Sequence, residues 1–132
     1  MNISLTEELR TLEYSQRLRD LARNVLVKDE GSVGQTLYLG AAHGGAQALG
    51  RGSGSIAVGR LADLVAIDRS APALCALEQN QILDGLIFAA KDSVVTDVWA
   101  AGRHNVQSGK HMARDKIVSD YRSALSALLA SD

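Results

Sequence analysis

Gly54-Ser55-Ile56-Ala57-Val58-Gly59-Arg60-Leu61-Ala62-Asp63-Leu64-Val65-Ala66-Ile67-Asp68 is the stretch that decides how this chain is read. A β-branched run, a glycine and a nearly continuous apolar run predict a strand at 54–58, a tight turn at Gly59 and a second strand at 64–67. That second strand is expected to be buried on both faces. Downstream, Val94 to Gly109 predicts two more strands around a hairpin loop centred near Gly102. Between these pairs, Ile82, Leu83, Leu86, Ile87 and Ala90 recur at helical spacing, so a short helix within 78–90 should cover the sheet. Gly85 weakens that helix by up to about 1 kcal/mol relative to Ala.

Upstream of Arg51 the pattern is helical. Ser4-Leu5-Thr6-Glu7 and Ser32-Val33-Gly34-Gln35 both have capping-box spacing, in which the Ser oxygen takes an orphan N–H of the first turn. Leu5, Leu9 and Leu12 make one apolar stripe, and Tyr14, Leu18, Leu21 and Val25 make a second, so the first helix calls for partners on two sides. Asp29-Glu30-Gly31 ends the pattern. Arg10, Arg17, Arg19, Asp20 and Arg23 read as a solvated face. The second helix carries mostly small residues along Val33, Leu37, Ala41, Gly44 and Ala48, and is expected to be buried, with Gly50 as its left-handed cap. A last helix over 114–130 has Ile117, Val118, Tyr121, Leu125, Leu128 and Leu129 at core spacing, followed only by Ser131 and Asp132.

The 132 residues suit one compact core, and 46% hydrophobic content argues against disorder. Fourteen Lys+Arg against fifteen Asp+Glu leave a net charge of -1, with no basic footprint for nucleic acid or anionic lipid. Met1 to Glu8 lacks the basic and apolar regions of a signal peptide, and no apolar run approaches the roughly 18 residues that span a bilayer. The single Cys75 cannot form an internal disulfide, which suits a reducing compartment, and a cytoplasmic location is expected.

Candidate chemistry is sparse. Cys75 sits in the apolar segment Ala71 to Leu77 and reads as a buried structural thiol. His43 reads as a packed or surface helix residue, while His104 and His111 flank a hairpin arm and are the closest approach to a metal pair, without an acidic third ligand at suitable spacing. Gly50-Arg51-Gly52-Ser53-Gly54-Ser55 follows a helix and precedes a strand, the reverse of a phosphate-cradling loop, and reads as a flexible joint. Asp63 and Asp68 are explained by turn hydrogen bonding. No catalytic, substrate-binding or metal-ligating residue is assigned, and no cofactor is expected on this chain.

Gly54-x-Ile56-x-x-Gly59-x-x-Ala62-Asp63-Leu64-Val65-x-x-Asp68, with Val98-Trp99-Ala100-Ala101-Gly102-Arg103 and Val106-x-x-Gly109, resembles the C-terminal part of amidohydrolase-superfamily enzymes. Glu7-Glu8-Leu9-Arg10-x-Leu12-Glu13-Tyr14-x-Gln16-Arg17-Leu18-Arg19-Asp20, then Arg23-Asn24-Val25-Leu26, is similar to the formimidoylglutamate deiminases of histidine degradation. The resemblance implies an α+β fragment. Residues 1–50 would be the last helices of a (β/α)8 metal-dependent hydrolase barrel, 51–111 a share of the small β-sandwich with a short helix, and 112–132 a C-terminal helix. It implies a parent enzyme in which one divalent metal, usually zinc, generates the hydroxide that attacks the formimino carbon and releases ammonia and N-formyl-L-glutamate. In that family the ligands, an HxH pair, further His residues and an Asp, precede the segment matching Asn2-Ile3-Ser4, so none carries over to a position here.

The chain by itself is therefore expected to be inactive, to meet a small-molecule substrate only together with the missing barrel, and to self-associate through apolar faces left without partners. Two other readings stand beside this one. The parent is another deaminase or chlorohydrolase-like enzyme of the superfamily, or the chain is a non-enzymatic self-associating module derived from the fold.

Overall fold

Both capping boxes start helices as their spacing dictates. In the computed structural model, which describes residues 3–27 and 31–130, Ser4 Oγ accepts from Glu7 N at 3.2 Å and opens α1 (Leu5–Asp20). Ser32 Oγ accepts from Gln35 N at 3.0 Å and opens α2 (Val33–Ala48). Asp29 and Glu30 of the expected break lie outside the described residues, as do Met1, Asn2, Ser131 and Asp132. Gly50, at φ +60, ends α2 as expected: Gly50 N donates to Gln47 O and Arg51 N to Ala46 O, the paired bonds of a Schellman cap.

The α1 helix stops earlier than its second stripe implies. Leu21 takes a left-handed conformation at φ 49 and caps the helix on Arg17 O, leaving Leu18 and Leu21 in solvent. The first stripe buries Leu9, and from the second Tyr14 stacks on Phe88 with ring centroids 5.9 Å apart.

The sheet is antiparallel, in the order β1 (Leu64–Ile67), β2 (Val95–Ala100), β3 (Arg103–Gln107) and β4 (Lys110–His111). β2 and β3 join through Ala101 and Gly102, both at positive φ, the tight hairpin turn expected near Gly102. The short β4 was not foreseen; it returns through a second such turn at Ser108-Gly109. Residues 54–58 are not a strand. The turn at Gly59 forms, with Arg60 N bonded to Ala57 O, but Ile56 and Val58 stand in solvent, because the edge of β1 away from β2 offers them no paired register. Nor is β1 buried on both faces: Leu64, Ala66 and Ile67 are half-buried, with Ile67 against the core, and Val65 is exposed.

Helix α3 (Gln81–Phe88) is the keystone. Ile87 points into one cluster with Leu9, Val33 and Leu37, and Leu86 into another with Leu74, Ala90 and Val94, while Tyr38 packs against both. Gly85 therefore serves packing as well as weakening the helix: a Cβ there would lie 3.0 Å from Leu74 Cδ2, 3.2 Å from Ala73 O and closer still to Leu77. On α2 the expected burial is realised at Val33 and Leu37 but not at Gly44 or Ala48, since α3 spans only the first part of that helix.

The last helix, α4 (Arg114–Leu129), forms over the expected residues but buries none of them. Its stripe has core spacing without a core to enter.

Candidate functional site

Three polar clusters and one apolar cleft are the places where chemistry could reside. The first closes the start of β1 onto the β2–β3 turn. Asp63 Oδ1 accepts from Ala101 N at 2.7 Å, both its oxygens lie 3.1 Å from Arg51 Nη2, and Gly102 N donates to Ala62 O at 2.9 Å. The Ala101 N–H foremost, with Arg51 and Ser53, holds the Asp63 carboxyl below the usual carboxylate range. Asp68 is held low in the same way by the Ser70 hydroxyl and N–H, at 2.6 and 2.8 Å. Asp68 does the turn work expected of it, whereas Asp63 departs from that expectation and clasps the distant Ala101 N–H and Arg51. The glycine-rich loop is pinned rather than loose, by Arg51 on Asp63 and by Leu61 N on Gly52 O.

The second cluster lies on the hairpin. His104 Nε2 is 2.7 Å from Asp97 Oδ1, its Nδ1 is 3.0 Å from Gln107 Nε2, and its ring stacks on Trp99 at 4.4 Å. The ring is thus held on both nitrogens, by Asp97 at one and Gln107 at the other. Thr96 first, then His104, keeps the Asp97 carboxyl below its ordinary range. His111 does not join this group; its Nδ1 accepts from Ala113 N at 3.1 Å. His43 is exposed on α2.

The third cluster was missed in the sequence. Glu13 is fully buried, where its carboxylate accepts from Arg17 Nε at 2.7 Å, Val25 N at 3.0 Å and Leu26 N at 3.1 Å. Arg17 in turn lies over the Tyr14 and Phe88 rings. Arg10 donates to Ile87 O at 2.7 Å and Ala90 O at 3.3 Å, taking up carbonyls at the end of α3. These two arginines thus leave the expected solvated face, whereas Arg19 pairs with Asp20 in solvent. A Glu-x-x-x-Arg pair in an otherwise apolar helix stripe was the available signal.

Cys75 also departs from expectation. It is exposed, with Sγ 3.6 Å from Pro72 O, because Leu74 takes the buried position of that turn. The cleft, of about 470 Å³, lies between α2, the 53–56 loop, β1 and α3, and its walls include Tyr38, Leu39, Ala46, Ile56, Val65 and Leu83.

The chemistry available follows from these partners. The clustered carboxylates are committed to N–H and O–H donors, both His104 nitrogens are occupied, and Cys75 Sγ faces the Pro72 carbonyl. Among the described residues no three His, Cys, Asp or Glu side chains come together as a metal site. The donor set present does not fit a catalytic zinc, which needs three protein ligands around an open position.

Comparison with known proteins completes the description. The profile of the amidohydrolase family matches residues 2–104. Formimidoylglutamate deiminase of Pseudomonas aeruginosa is 45% identical over 130 residues, which is 98% of this chain and 29% of that protein. The crystal structure of an amidohydrolase from Brucella melitensis superposes with a TM-score of 0.84 at 41% identity, over 97% of this chain and 28% of the other. An adenosine deaminase from Xanthomonas campestris, crystallised with bound zinc, superposes with a TM-score of 0.75 at 32% identity, over 93% and 27%. No helix of the described residues is long and apolar enough to cross a membrane.

Proposed function

The chain belongs to the amidohydrolase family, and on that premise we propose that it is the C-terminal part of a metal-dependent deiminase acting on N-formimino-L-glutamate. The parent enzyme takes this substrate and water to N-formyl-L-glutamate and ammonia, a step of histidine degradation carried out in the cytoplasm. The observation that carries the reading is the 45% identity to formimidoylglutamate deiminase, which extends along 98% of the chain. In this reading residues 1–50 contribute the terminal barrel helices, 51–111 the β-sandwich share and 112–132 the C-terminal helix.

The ligands of the parent's metal then come from parts of the enzyme outside this chain, since His43, His104 and His111 occupy separate surroundings. What this chain contributes is scaffold. It neither holds zinc nor turns over substrate alone.

A second reading, a nucleoside deaminase, is favoured by the 32% identity to the Xanthomonas protein. Two chimeras separate them, with this chain replacing the matching segment of the Pseudomonas deiminase or of the Xanthomonas deaminase. The expected result is ammonia release from N-formimino-L-glutamate by the first and no activity in the second. The opposite pattern would move the parent to nucleosides, and two folded but dead chimeras would favour a non-enzymatic module.

A further inference from the structure

Asp97, Trp99, His104 and Gln107 gather where the β2–β3 ladder is interrupted. Val98 pairs with Val106 and Trp99 with His104, so Asn105 is an extra residue between the two pairs, a β-bulge. Asp97 and Gln107 stand on one side of the bulge, Trp99 and His104 on the other, and the imidazole ties the two sides together through its three contacts. Over the range in which imidazoles titrate, about pH 5 to 8, the Asp97 carboxylate is ionised and only accepts. The 2.7 Å contact therefore requires a proton on His104 Nε2 whether the ring is neutral or charged, and the two states differ at Nδ1. A neutral Nδ1 needs an N–H opposite it; the Nδ1–H of the cation needs an oxygen. The Gln107 amide, 3.0 Å away on an exposed side chain, carries one of each, and half a turn about its last bond exchanges them. The neighbouring elements leave the ring to these partners. From β1, Leu64 and Ala66 stand opposite Trp99 and Asp97, and Asp63 is held by Ala101 and Arg51. From β4, Lys110 stands opposite Gln107 but reaches Asp115 of α4 at 3.0 Å, and His111 bonds to Ala113 N. Arg103, on β3 itself, is exposed.

We propose that His104 and Gln107 form a proton-driven latch across the bulge: uptake of one proton from solvent at His104 Nδ1 turns the Gln107 amide from donor to acceptor, while the Asp97 contact and the stack on Trp99 persist. The hairpin stays closed in both states, because each leaves both ring nitrogens bonded. What changes is the charge lying against the indole, 4.4 Å away. The latch is built within this chain and is independent of the parent's substrate.

Trp99 is the sole tryptophan, so its emission reads the latch directly in the full chain. An imidazolium stacked on an indole withdraws electron density from its excited state, and emission is expected to fall in a single-proton step between about pH 8 and about pH 5. His104→Gln should abolish the step, which separates His104 from His43 and His111. Gln107→Glu places a second carboxylate beside Nδ1 and should move the step up by about one pH unit or more. Nitrogen NMR of the labelled wild type, which needs no substitution, should show Nε2 protonated throughout, Nδ1 protonated only below the step, and the Gln107 side-chain amide shifting with the same midpoint. A flat emission, a step that survives His104→Gln or stays in place in Gln107→Glu, a neutral ring with its proton on Nδ1, or a Gln107 amide that does not respond would each overturn it.

Discussion

Helices α1 and α4 are each sixteen residues long and amphipathic, yet α1 is locked into the molecule and α4 touches almost none of it. The α1 helix has Leu9 in a core cluster, Glu13 buried against the 21–27 turn, Thr6 donating to Asp92 at 2.8 Å and Arg10 on the end of α3. The α4 helix has the stripe and the spacing, but it buries no residue, and Lys110 of β4 meets it only at Asp115, 3.0 Å away. Periodicity declares that a helix has a face to bury; whether it is buried depends on what stands opposite.

Truncation should expose the contrast most sharply. Ile87→Ala, at a fully buried position shared by α1, α2 and α3, is expected to cost about 3 kcal/mol in urea unfolding. Ile117→Ala, at an exposed position of α4, should cost less than about 0.5 kcal/mol. Equal losses at the two positions would mean that α4 has a core of its own.

Next in size is Glu13→Gln. It leaves Arg17 without its charged partner and weakens the acceptor of two backbone N–H groups, an expected loss of about 2 kcal/mol by the same unfolding measurement. Surface acids of α4 such as Asp120, changed to Asn, should leave the unfolding midpoint of the monomer in place.

The smallest effect is a pH dependence. Asp63, Asp68 and Asp97 all have folded carboxyls held below their ordinary 3.8, so their contribution is complete above that value and is lost as pH falls through the lower folded values. The thermal midpoint should therefore be flat from neutral pH to about 4 and decline below it. Asp63→Asn should shallow that acid decline, and an unchanged decline would remove the Ala101 clasp from the account.

Much of this was legible in residues. The two Ser caps, Gly50, the Ala101-Gly102 turn and the Leu64–Ile67 strand announce themselves by local chemistry, and local chemistry sufficed. What escaped depended on partners or on unusual backbone. The end of α1 is a left-handed Leu21, a conformation sequence assigns to glycine. The 54–58 segment has strand composition but no neighbour to pair with, and Cys75 is turned outward by Leu74. The buried Glu13 was hidden among arginines that looked solvated. For the candidate site, sequence placed Asp68 in a turn but did not foresee that Asp63 would reach the Ala101 N–H, or that His104 would engage Asp97 and Trp99 in place of His111.

The proposal places the metal ligands of the parent amidohydrolase outside this chain. It is tested most directly by zinc stoichiometry and ammonia release from N-formimino-L-glutamate, measured together on the purified chain with zinc added. The account predicts no stoichiometric zinc and no ammonia above background. Bound zinc with turnover would contradict it, and would mean that His43, His104 and His111, or two copies of the chain, build a site together.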